Sequence, residues 1–309
     1  MSALPYIDGD TLRRLVPMEH AVRALSEALL GGLDPEECPR RPVVDLPAGQ
    51  LLLMPASYGR HAGIKVASVA PANPGRGLPR IQGTYLLFDG PSLTPLASMD
   101  GIALTSLRTP AVSALAARHL ARPDARTLTV FGTGPQAWGH VEALRAVRPI
   151  EHVTVVARNL DGARDLAAHC STLGLTATVG TAEGVAGADV IVCCTSAREP
   201  LFPGALVADG ALVVAVGSHE PDARELDGDL MARATVVVES RTSALAEAGD
   251  VIMAIRSGLI GEGHLAGGLA ELVNGAVEPG SGPRVFKSVG MAWEDLVVAA
   301  AAHDAWAGR

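Results

Sequence analysis

The sequence predicts an α/β protein of two domains, the larger one built on a parallel β-sheet. From Thr127 onward, short valine-rich runs alternate with segments whose apolar residues recur at helical spacing. This alternation is typical of parallel strands joined by crossover helices. Before Thr127, short apolar runs separated by Gly and Pro turns indicate a mainly antiparallel sheet. A chain of 309 residues, 48% of them hydrophobic, is long enough to give each domain its own core.

The predicted elements of the larger domain are mostly unbroken apolar runs, which suit strands buried on both faces. Its strands are predicted at 127–131, 152–157, 176–179, 190–194, 211–216 and 235–238, with helices at 135–147 and 160–173. In the smaller domain a helix is predicted at 17–30 and strands at 51–54, 63–69, 84–88 and 93–98, while a last helix at 293–306 is expected to return to it. We therefore predict a domain at 1–120, completed by 285–309, and a second domain at 121–284.

A glycine-rich turn lies between the first strand of the larger domain and the helix that follows. Residues 132–137 read G-x-G-x-x-A, the pattern by which a Rossmann domain brings its backbone close to the pyrophosphate of a dinucleotide. The strand–turn–helix context makes this weak pattern specific, and the helix amino terminus supplies free amides for the phosphates. The predicted cofactor contacts are Gly132, Thr133, Gly134, Pro135, Gln136, Ala137, Arg158, Asn159 and Thr195.

The end of the second strand predicts which dinucleotide is preferred. NAD-specific domains carry a carboxylate there for the ribose 2'-hydroxyl, whereas this chain has Ala157, Arg158 and Asn159. An arginine at that place pairs with a 2'-phosphate. We therefore expect NADP(H) to be favoured over NAD(H), the alternative being that Arg158 is a solvated loop residue.

A second candidate site surrounds Arg108. Thr109 and Pro110 resemble an N-cap and the first residue of a helix at 110–120, so Arg108 is expected beside a helix amino terminus. A guanidinium next to free backbone amides is a receptor for a carboxylate. By itself this pattern is weak, because many arginines near helix starts are simply exposed.

Lysine is rare in this chain, and its two occurrences are Lys65 and Lys287. Lys65 lies in a strand-like segment of apolar and small residues, where a charge needs a partner or a function. Unlike arginine, a desolvated lysine can lose its proton, which acid and base chemistry can use. An ion pair at a sheet edge is the alternative for Lys65.

Composition excludes several partners. A net charge of -8 and 3% aromatic residues leave neither a basic surface nor stacking platforms for nucleic acid. No run approaches the roughly 20 apolar residues of a membrane span, so we expect a soluble cytoplasmic protein with no membrane partner. The cysteine spacing predicts neither a metal site nor a redox function.

Nine short segments, taken in order, resemble the ornithine cyclodeaminase/mu-crystallin family over nearly the whole chain. They are Met54-Pro-Ala, Gly63-Ile-Lys-Val, Leu86-Leu-Phe-Asp, Met99-Asp-Gly, Leu107-Arg-Thr-Pro-Ala, Phe131-Gly-Thr-Gly-Pro-Gln-Ala, Val216-Gly-Ser-His, Arg224-Glu-Leu-Asp and Val285-Phe-Lys-Ser-Val-Gly-Met-Ala. The resemblance implies a Rossmann domain joined to a smaller α+β substrate-binding and dimerisation domain, and hence a homodimer.

The resemblance also implies roles for individual residues. Arg41 and Arg108 match the arginines that hold the substrate carboxylate, and Lys65 matches a catalytic lysine near the reacting nitrogen. The pocket implied by the family is further lined by Met54, Thr84, Ser288 and Gly290. Lys287 matches the family loop that approaches the substrate, and its role there is either to contact the substrate or to support the structure.

His219 departs from the cyclodeaminase pattern, in which an aspartate follows the fifth Rossmann strand. This departure resembles mu-crystallin and other imine-reducing members. His219 is predicted to donate a proton or to close the loop. The leading expectation is hydride transfer at the α carbon of a small imino or amino acid. The alternatives are a cyclodeaminase-type lyase with catalytic NAD and a low-turnover protein that binds NADP and a small ligand.

Overall fold

The computed structural model describes residues 4–308 of the chain. Its strands are β1 (Tyr6–Ile7), β2 (Val43–Leu46), β3 (Gly49–Tyr58), β4 (His61–Val69), β5 (Ile81–Asp89), β6 (Pro95–Asp100), β7 (Thr127–Phe131), β8 (His152–Val156), β9 (Thr176–Val179), β10 (Val190–Cys193), β11 (Leu212–Ala215), β12 (Thr235–Val238), β13 (Leu265–Gly268) and β14 (Arg284–Lys287). Its helices are α1 (Gly9–Leu15), α2 (Met18–Leu30), α3 (Gly101–Leu120), α4 (Pro135–Arg145), α5 (Leu160–Thr172), α6 (Gly228–Arg233), α7 (Arg241–Glu247), α8 (Gly249–Arg256), α9 (Leu269–Val273) and α10 (Ala292–Trp306).

The chain forms two compact units. The first is Met1–Val112 together with Met291–Arg309, and the second is Ser113–Gly290. The division between them falls inside helix α3, where the apolar pattern runs on without interruption. The first unit is α+β and the second is α/β, which confirms the predicted fold class.

The sheet of the first unit has the order β1-β6-β5-β4-β3-β2, and all its neighbours are antiparallel except β1 and β6. Met54, Lys65 and Tyr85 lie side by side across β3, β4 and β5. Because side chains in register share a face of a sheet, these three point the same way. Helix α10 packs on β3, β4 and β5, and all three side chains are buried.

The second unit contains an eight-stranded parallel sheet, ordered β13-β12-β14-β11-β10-β7-β8-β9. The chain runs outward from β7 to β9 and then returns to the other side of β7 at β10. This reversal is the topological switch point of a Rossmann sheet, where ligands bind at the carboxyl ends of the strands. The segment after β7 and the segment after β10 therefore frame the expected cofactor site.

The prediction that a helix begins at Pro110 was wrong. Helix α3 begins at Gly101 and runs through Pro110, and its amino terminus is capped by Asp100, whose carboxylate accepts from the amides of Ile102 and Ala103. Pro110 removes one helical hydrogen bond, but nearly every residue from Leu107 to Ala117 is buried, and this packing outweighs the local preference. Arg108 therefore lies in the middle of a helix.

Within residues 4–308, no helix combines the length and the apolar character that crossing a bilayer requires.

Candidate active site

Lys65 lies at the centre of a buried polar cluster in the first unit. Its ammonium nitrogen is 2.7 Å from Asp295 Oδ2, and it donates a hydrogen bond of 3.1 Å to Thr105 Oγ1. The Thr105 hydroxyl donates in turn to the carbonyl of Gly101 at 2.7 Å, so its lone pairs face the lysine. An ammonium carries three N–H donors, and these two contacts leave one for a further acceptor.

Burial changes the acidity of Lys65. Only 3% of the residue is exposed, and desolvation lowers its pKa from 10.5 to about 8, against the opposing effect of Asp295. Arg108 also lowers this pKa by charge repulsion. A lysine with a pKa of about 8 exchanges a proton near neutral pH, as a general acid or base must.

Arg108 is held by two carboxylates from helix α10. Its Nη1 is 2.5 Å from Glu294 Oε2, and its Nε is 3.1 Å from Asp295 Oδ1. Asp295 thus contacts both Arg108 and Lys65, one with each carboxylate oxygen. Two cations and two anions, all at least 95% buried, form a network without net charge. Balanced pairing of this kind is what allows charges to remain inside a protein.

The start of helix α10 explains the position of the two acids. Glu294 and Asp295 occupy the first turn of the helix, where the free amides and the helix dipole stabilise negative charge. Most of the other residues of α10 are apolar and buried. The helix therefore places two carboxylates against the buried face of the sheet, the face on which the side chain of Lys65 lies.

The remaining predicted substrate residues of the first unit lie in different surroundings. Met54 is buried and adjacent to Lys65 in the sheet. Arg41 is half-buried in the segment before β2. Thr84 is exposed and in register with Val66, so alternation along β5 places it on the face opposite Lys65. The structure brings Met54 to Lys65 but does not bring Thr84 there.

In the second unit, the predicted glycine-rich turn links β7 to α4. Gly132 has φ of 111°, and a Cβ there would lie 2.5 Å from the carbonyl oxygen of Cys194. Gly134 is the N-cap of α4 and Pro135 its first residue. A Cβ on Gly134 would meet no atom within 4 Å, so the helix amino terminus faces open space. These features fit the pyrophosphate of a dinucleotide.

The other residues of the turn support this fit. Trp138 Nε1 donates to the carbonyl of Thr133 at 3.2 Å and fixes the turn. Gln136 is half-buried, and its Oε1 is buried without a hydrogen-bond partner among the described residues. Ala137 is fully buried where the helix packs on the sheet. A buried amide oxygen next to a phosphate cradle can accept a hydrogen bond from a ligand.

Arg158 and Asn159 follow β8, as predicted, and both are exposed. Asn159 is the N-cap of α5, and its side chain accepts from the amide of Gly162 at 3.2 Å. No carboxylate occupies the segment 157–159. The cap fixes the direction of the chain immediately after Arg158, whose guanidinium is at the surface of the strand end.

Thr195 follows β10 and is held by a residue that the sequence patterns did not assign to the site. The buried Glu225 accepts from the Thr195 amide at 2.8 Å and hydroxyl at 2.7 Å, and from the amide of Gly217 at 2.7 Å. A Cβ on Gly217 would lie 2.1 Å from the carbonyl oxygen of Thr195. Glu225 therefore ties together the segments that leave β10 and β11, at the ligand-binding edge of the sheet.

Lys287 holds the loop that carries His219. The Lys287 ammonium donates to the carbonyl of Ser218 at 2.6 Å and is 2.9 Å from Asp250 Oδ2, with both charged side chains fully buried. His219 itself is exposed. Lys287 thus supports the loop, and the exposed imidazole next to the anchor is accessible to a ligand.

Ser288 and Gly290 are bound by a single carboxylate at the end of β12. Glu239 accepts from Ser288 Oγ at 2.6 Å and from the amides of Val289 and Gly290, both at 2.9 Å. Gly290 has φ of 78°, which a residue with a side chain rarely adopts. The segment after β14 is therefore fixed in shape, and its backbone is positioned by Glu239.

A model of the ornithine cyclodeaminase/mu-crystallin family matches residues 15–309. The chain belongs to this family. Among its relatives, ketimine reductase mu-crystallin of Rattus norvegicus is 36% identical over 297 residues, 94% of this chain and 91% of that protein. The resemblance seen in the short sequence segments is thereby confirmed over almost the full length.

Two solved members of the ornithine cyclodeaminase/mu-crystallin family share the whole fold. Thermococcus litoralis Delta(1)-pyrroline-2-carboxylate reductase, in complex with NADH and L-proline, has a TM-score of 0.93 at 32% identity and covers 99% of this chain and 98% of its own. An archaeal alanine dehydrogenase dimer with bound NAD has a TM-score of 0.93 at 29% identity, covering 99% of this chain and 96% of its own. Nicotinamide dinucleotides are therefore the cofactors of similar structures.

Proposed function

We propose that this member of the ornithine cyclodeaminase/mu-crystallin family is an NAD(P)H-dependent oxidoreductase that reduces the C=N bond of a small imino acid, or catalyses the reverse. The observation that carries the proposal is the buried contact of Lys65 with Asp295, beside Arg108. Lys65 is a proton donor whose pKa is lowered to about 8, and it lies next to the guanidinium of Arg108. The named activities of the similar reductases support the same chemistry.

The first unit supplies the groups for the substrate. Arg41 and Arg108 bind the carboxylate, which fixes the imino acid in one orientation. Lys65 donates its remaining N–H to the imine nitrogen, and the resulting positive charge makes the adjacent carbon electrophilic. Asp295 keeps Lys65 in place and favours its protonated form. Met54, which is adjacent to Lys65 in the sheet, is assigned to the wall of the pocket; Thr84 lies on the opposite face and has no part in it.

The second unit binds the cofactor through the turn at 132–137 and through Thr195 and Arg158. A bound reduced nicotinamide supplies the hydride. We assign Ser288 and Gly290, whose segment Glu239 holds in place, to the wall of the substrate pocket, and His219, or water, exchanges the proton with solvent. We assign the 2'-phosphate of NADP(H) to Arg158 and Asn159, and hence a preference for NADP(H) over NAD(H).

We further propose a homodimer, since a similar archaeal enzyme is described as a dimer. Sedimentation velocity on the purified chain measures this directly. The cytoplasmic location expected from the sequence remains a prediction.

Substrate screening tests the proposed function. Purified protein is mixed with NADPH or NADH and with Delta(1)-pyrroline-2-carboxylate, other cyclic ketimines, or pyruvate plus ammonia, and the loss of reduced nicotinamide is followed by absorbance. We expect consumption of NADPH in proportion to the amine formed. Release of ammonia from ornithine without net change in the cofactor would instead identify a lyase. Ligand-dependent stabilisation without turnover would identify a binding protein.

A further inference from the structure

A groove of about 510 Å³ lies on the first unit, between helices α2 and α10 and the turn that joins β3 to β4. Its walls are mostly small apolar side chains of the two helices. Its charged and polar residues are His20, Glu27, Tyr58, Arg60, His61 and Asp304. The groove differs from the buried Lys65 cluster in two ways: it is open to solvent, and it contains histidine side chains next to a carboxylate.

Three possible metal ligands lie close together beside the groove, and two of them, His61 and Asp304, line it. His61 is the first residue of β4, and His303 and Asp304 lie in the last turns of α10. One ligand atom of each residue lies within 4.8 Å of the others. Asp304 Oδ1 is 3.8 Å from His303 Nδ1 and 4.0 Å from His61 Nε2. We propose that His61, His303 and Asp304 form a binding site for a divalent transition-metal ion of the zinc class.

The distances suit such an ion after a small contraction. Zinc bonds nitrogen and oxygen ligands at about 2.0–2.2 Å in tetrahedral geometry, which separates neighbouring ligand atoms by roughly 3.3–3.5 Å. The two separations measured from Asp304 Oδ1, 3.8 and 4.0 Å, exceed this by less than an ångström. Two imidazoles and one carboxylate favour zinc, cobalt or nickel over magnesium and calcium, which prefer oxygen ligands.

The three side chains combine buried imidazoles with access from solvent. Both histidines are more than 90% buried, whereas the side chain of Asp304 is 34% exposed and gives the ion access from solvent.

Arg60 competes with the ion for the carboxylate of Asp304. Its Nη2 is 2.5 Å from Asp304 Oδ1 and neutralises the carboxylate. The arginine lies in the turn between β3 and β4, and its side chain is 53% exposed, so it can move into solvent at little cost. A metal and Arg60 bind the same oxygen, and each should therefore weaken the binding of the other.

Titration of the tag-free protein with Zn²⁺ and Co²⁺ tests the site. Calorimetry should show one ion per chain, and Co²⁺ should develop the visible absorption of a tetrahedral complex. His61→Gln and His303→Gln should each raise the Kd of the metal by roughly 10- to 100-fold or more. Loss of an outer-shell partner alone costs that much affinity, and these variants remove a ligand itself. Arg60→Ala should tighten binding, by an amount on the order of tenfold, because it frees the carboxylate and removes a positive charge.

His169→Gln is the matched control. His169 lies on the second unit, 3.3 Å from Glu142, and within residues 4–308 no third candidate ligand joins this pair, so its replacement should leave Kd unchanged. Thermal unfolding followed by circular dichroism verifies that each variant is folded. Equal metal affinity in the wild type and both site variants, or weaker binding by Arg60→Ala, would overturn the proposal. Because the last variant keeps all three ligands, it decides the question even if a histidine variant does not fold.

Discussion

Asp295 bridges Lys65 and Arg108, with Oδ2 2.7 Å from the lysine nitrogen and Oδ1 3.1 Å from the arginine Nε. One carboxylate thus positions both the proposed proton donor and the proposed carboxylate receptor. It arrives on helix α10, near the end of the chain, whereas the two cations lie on β4 and α3. The proposed chemistry consequently depends on a residue that need not contact the substrate.

Lys65→Arg should preserve the fold and abolish most of the turnover. Arginine keeps the positive charge but does not give up its proton, and its planar head must fit between Asp295 and Thr105. We expect turnover to fall on the order of a hundredfold or more, with nearly unchanged affinity for NADPH. Imine reduction and cofactor binding are measured on the same folded sample. Near-normal turnover would remove Lys65 from the mechanism, and parallel loss of both would indicate a structural role.

The pH dependence of reduction should follow the ionisation of Lys65. Its pKa is lowered from 10.5 to about 8, so the ammonium is present below pH 8 and is lost as the pH rises above it. Because the proposed step needs the protonated form, kcat/KM for reduction should be level below that pH and fall roughly tenfold per unit above it. The Lys65→Arg variant, assayed with the same imine, reports the ionisation of the substrate alone.

Asp295→Asn should move this alkaline limb to lower pH. The Asp295 carboxylate raises the pKa of Lys65, whereas desolvation and the charge of Arg108 lower it. Replacing the carboxylate with a neutral amide removes the main effect that raises this pKa, so the pKa should fall. Loss of one partner from a buried pair also costs about 3–5 kcal/mol of unfolding free energy. The pH profile and urea unfolding measure the two effects. Asp161→Asn, at an exposed surface pair, should change neither, and an unmoved limb in Asp295→Asn would refute the role of the carboxylate.

The sequence predicted the parts of the fold that depend on local patterns. The strand at 127–131, the turn at 132–137 and the start of α4 at Pro135 were located from apolar runs and glycine spacing, and the structure confirms them. Helix α3 was misplaced because Pro110 is a strong local signal, whereas its burial is a tertiary property. Strand β14 was missed because it enters the sheet between β11 and β12, an insertion that no local pattern reveals.

In the candidate site, too, local sequence patterns identified single residues but not the contacts between distant segments. Lys65 stood out because lysine is rare in this chain, and the same argument from buried charge would have selected Glu294 and Asp295 within the apolar pattern of α10. Glu225 and Glu239 bind backbone amides of distant segments, and their partners cannot be inferred from spacing. Likewise, cysteine and histidine spacing predicted no metal site, since His61 and His303 meet only through the packing of α10 on the sheet.

Arg158→Asp should shift cofactor preference from NADPH toward NADH. The arginine is exposed at the end of β8, where the reverse charge would repel a 2'-phosphate and accept from a 2'-hydroxyl. A charge-assisted pair contributes about 1.5–3 kcal/mol, or roughly a tenfold to hundredfold preference. Dissociation constants for both cofactors give the ratio. Arg164→Asp, the same charge change one turn into α5, should not alter it, and a wild type that binds NADH more tightly would exclude the proposed pairing.

Gly134→Ala should weaken cofactor binding without unfolding the protein. The residue has φ of -79°, which alanine adopts readily, and an added Cβ would meet no protein atom within 4 Å. Lower unfolded-state entropy and a poorer N-cap oppose each other, so the free energy of unfolding should change by less than about 1 kcal/mol. The methyl group instead occupies the space into which the amino terminus of α4 opens. Displacement of a phosphate from one charge-assisted hydrogen bond should weaken NADPH binding by roughly 10- to 100-fold.

Gly187→Ala provides the control for this prediction, because a Cβ there also meets nothing within 4 Å but lies outside the turn at 132–137. Fluorescence titration with NADPH and thermal unfolding of both variants separate binding from stability. Gly187→Ala should match the wild type in both measurements. If Gly134→Ala binds NADPH as tightly as Gly187→Ala does, the pyrophosphate does not approach the amino terminus of α4, and the cofactor must be held elsewhere in the second unit.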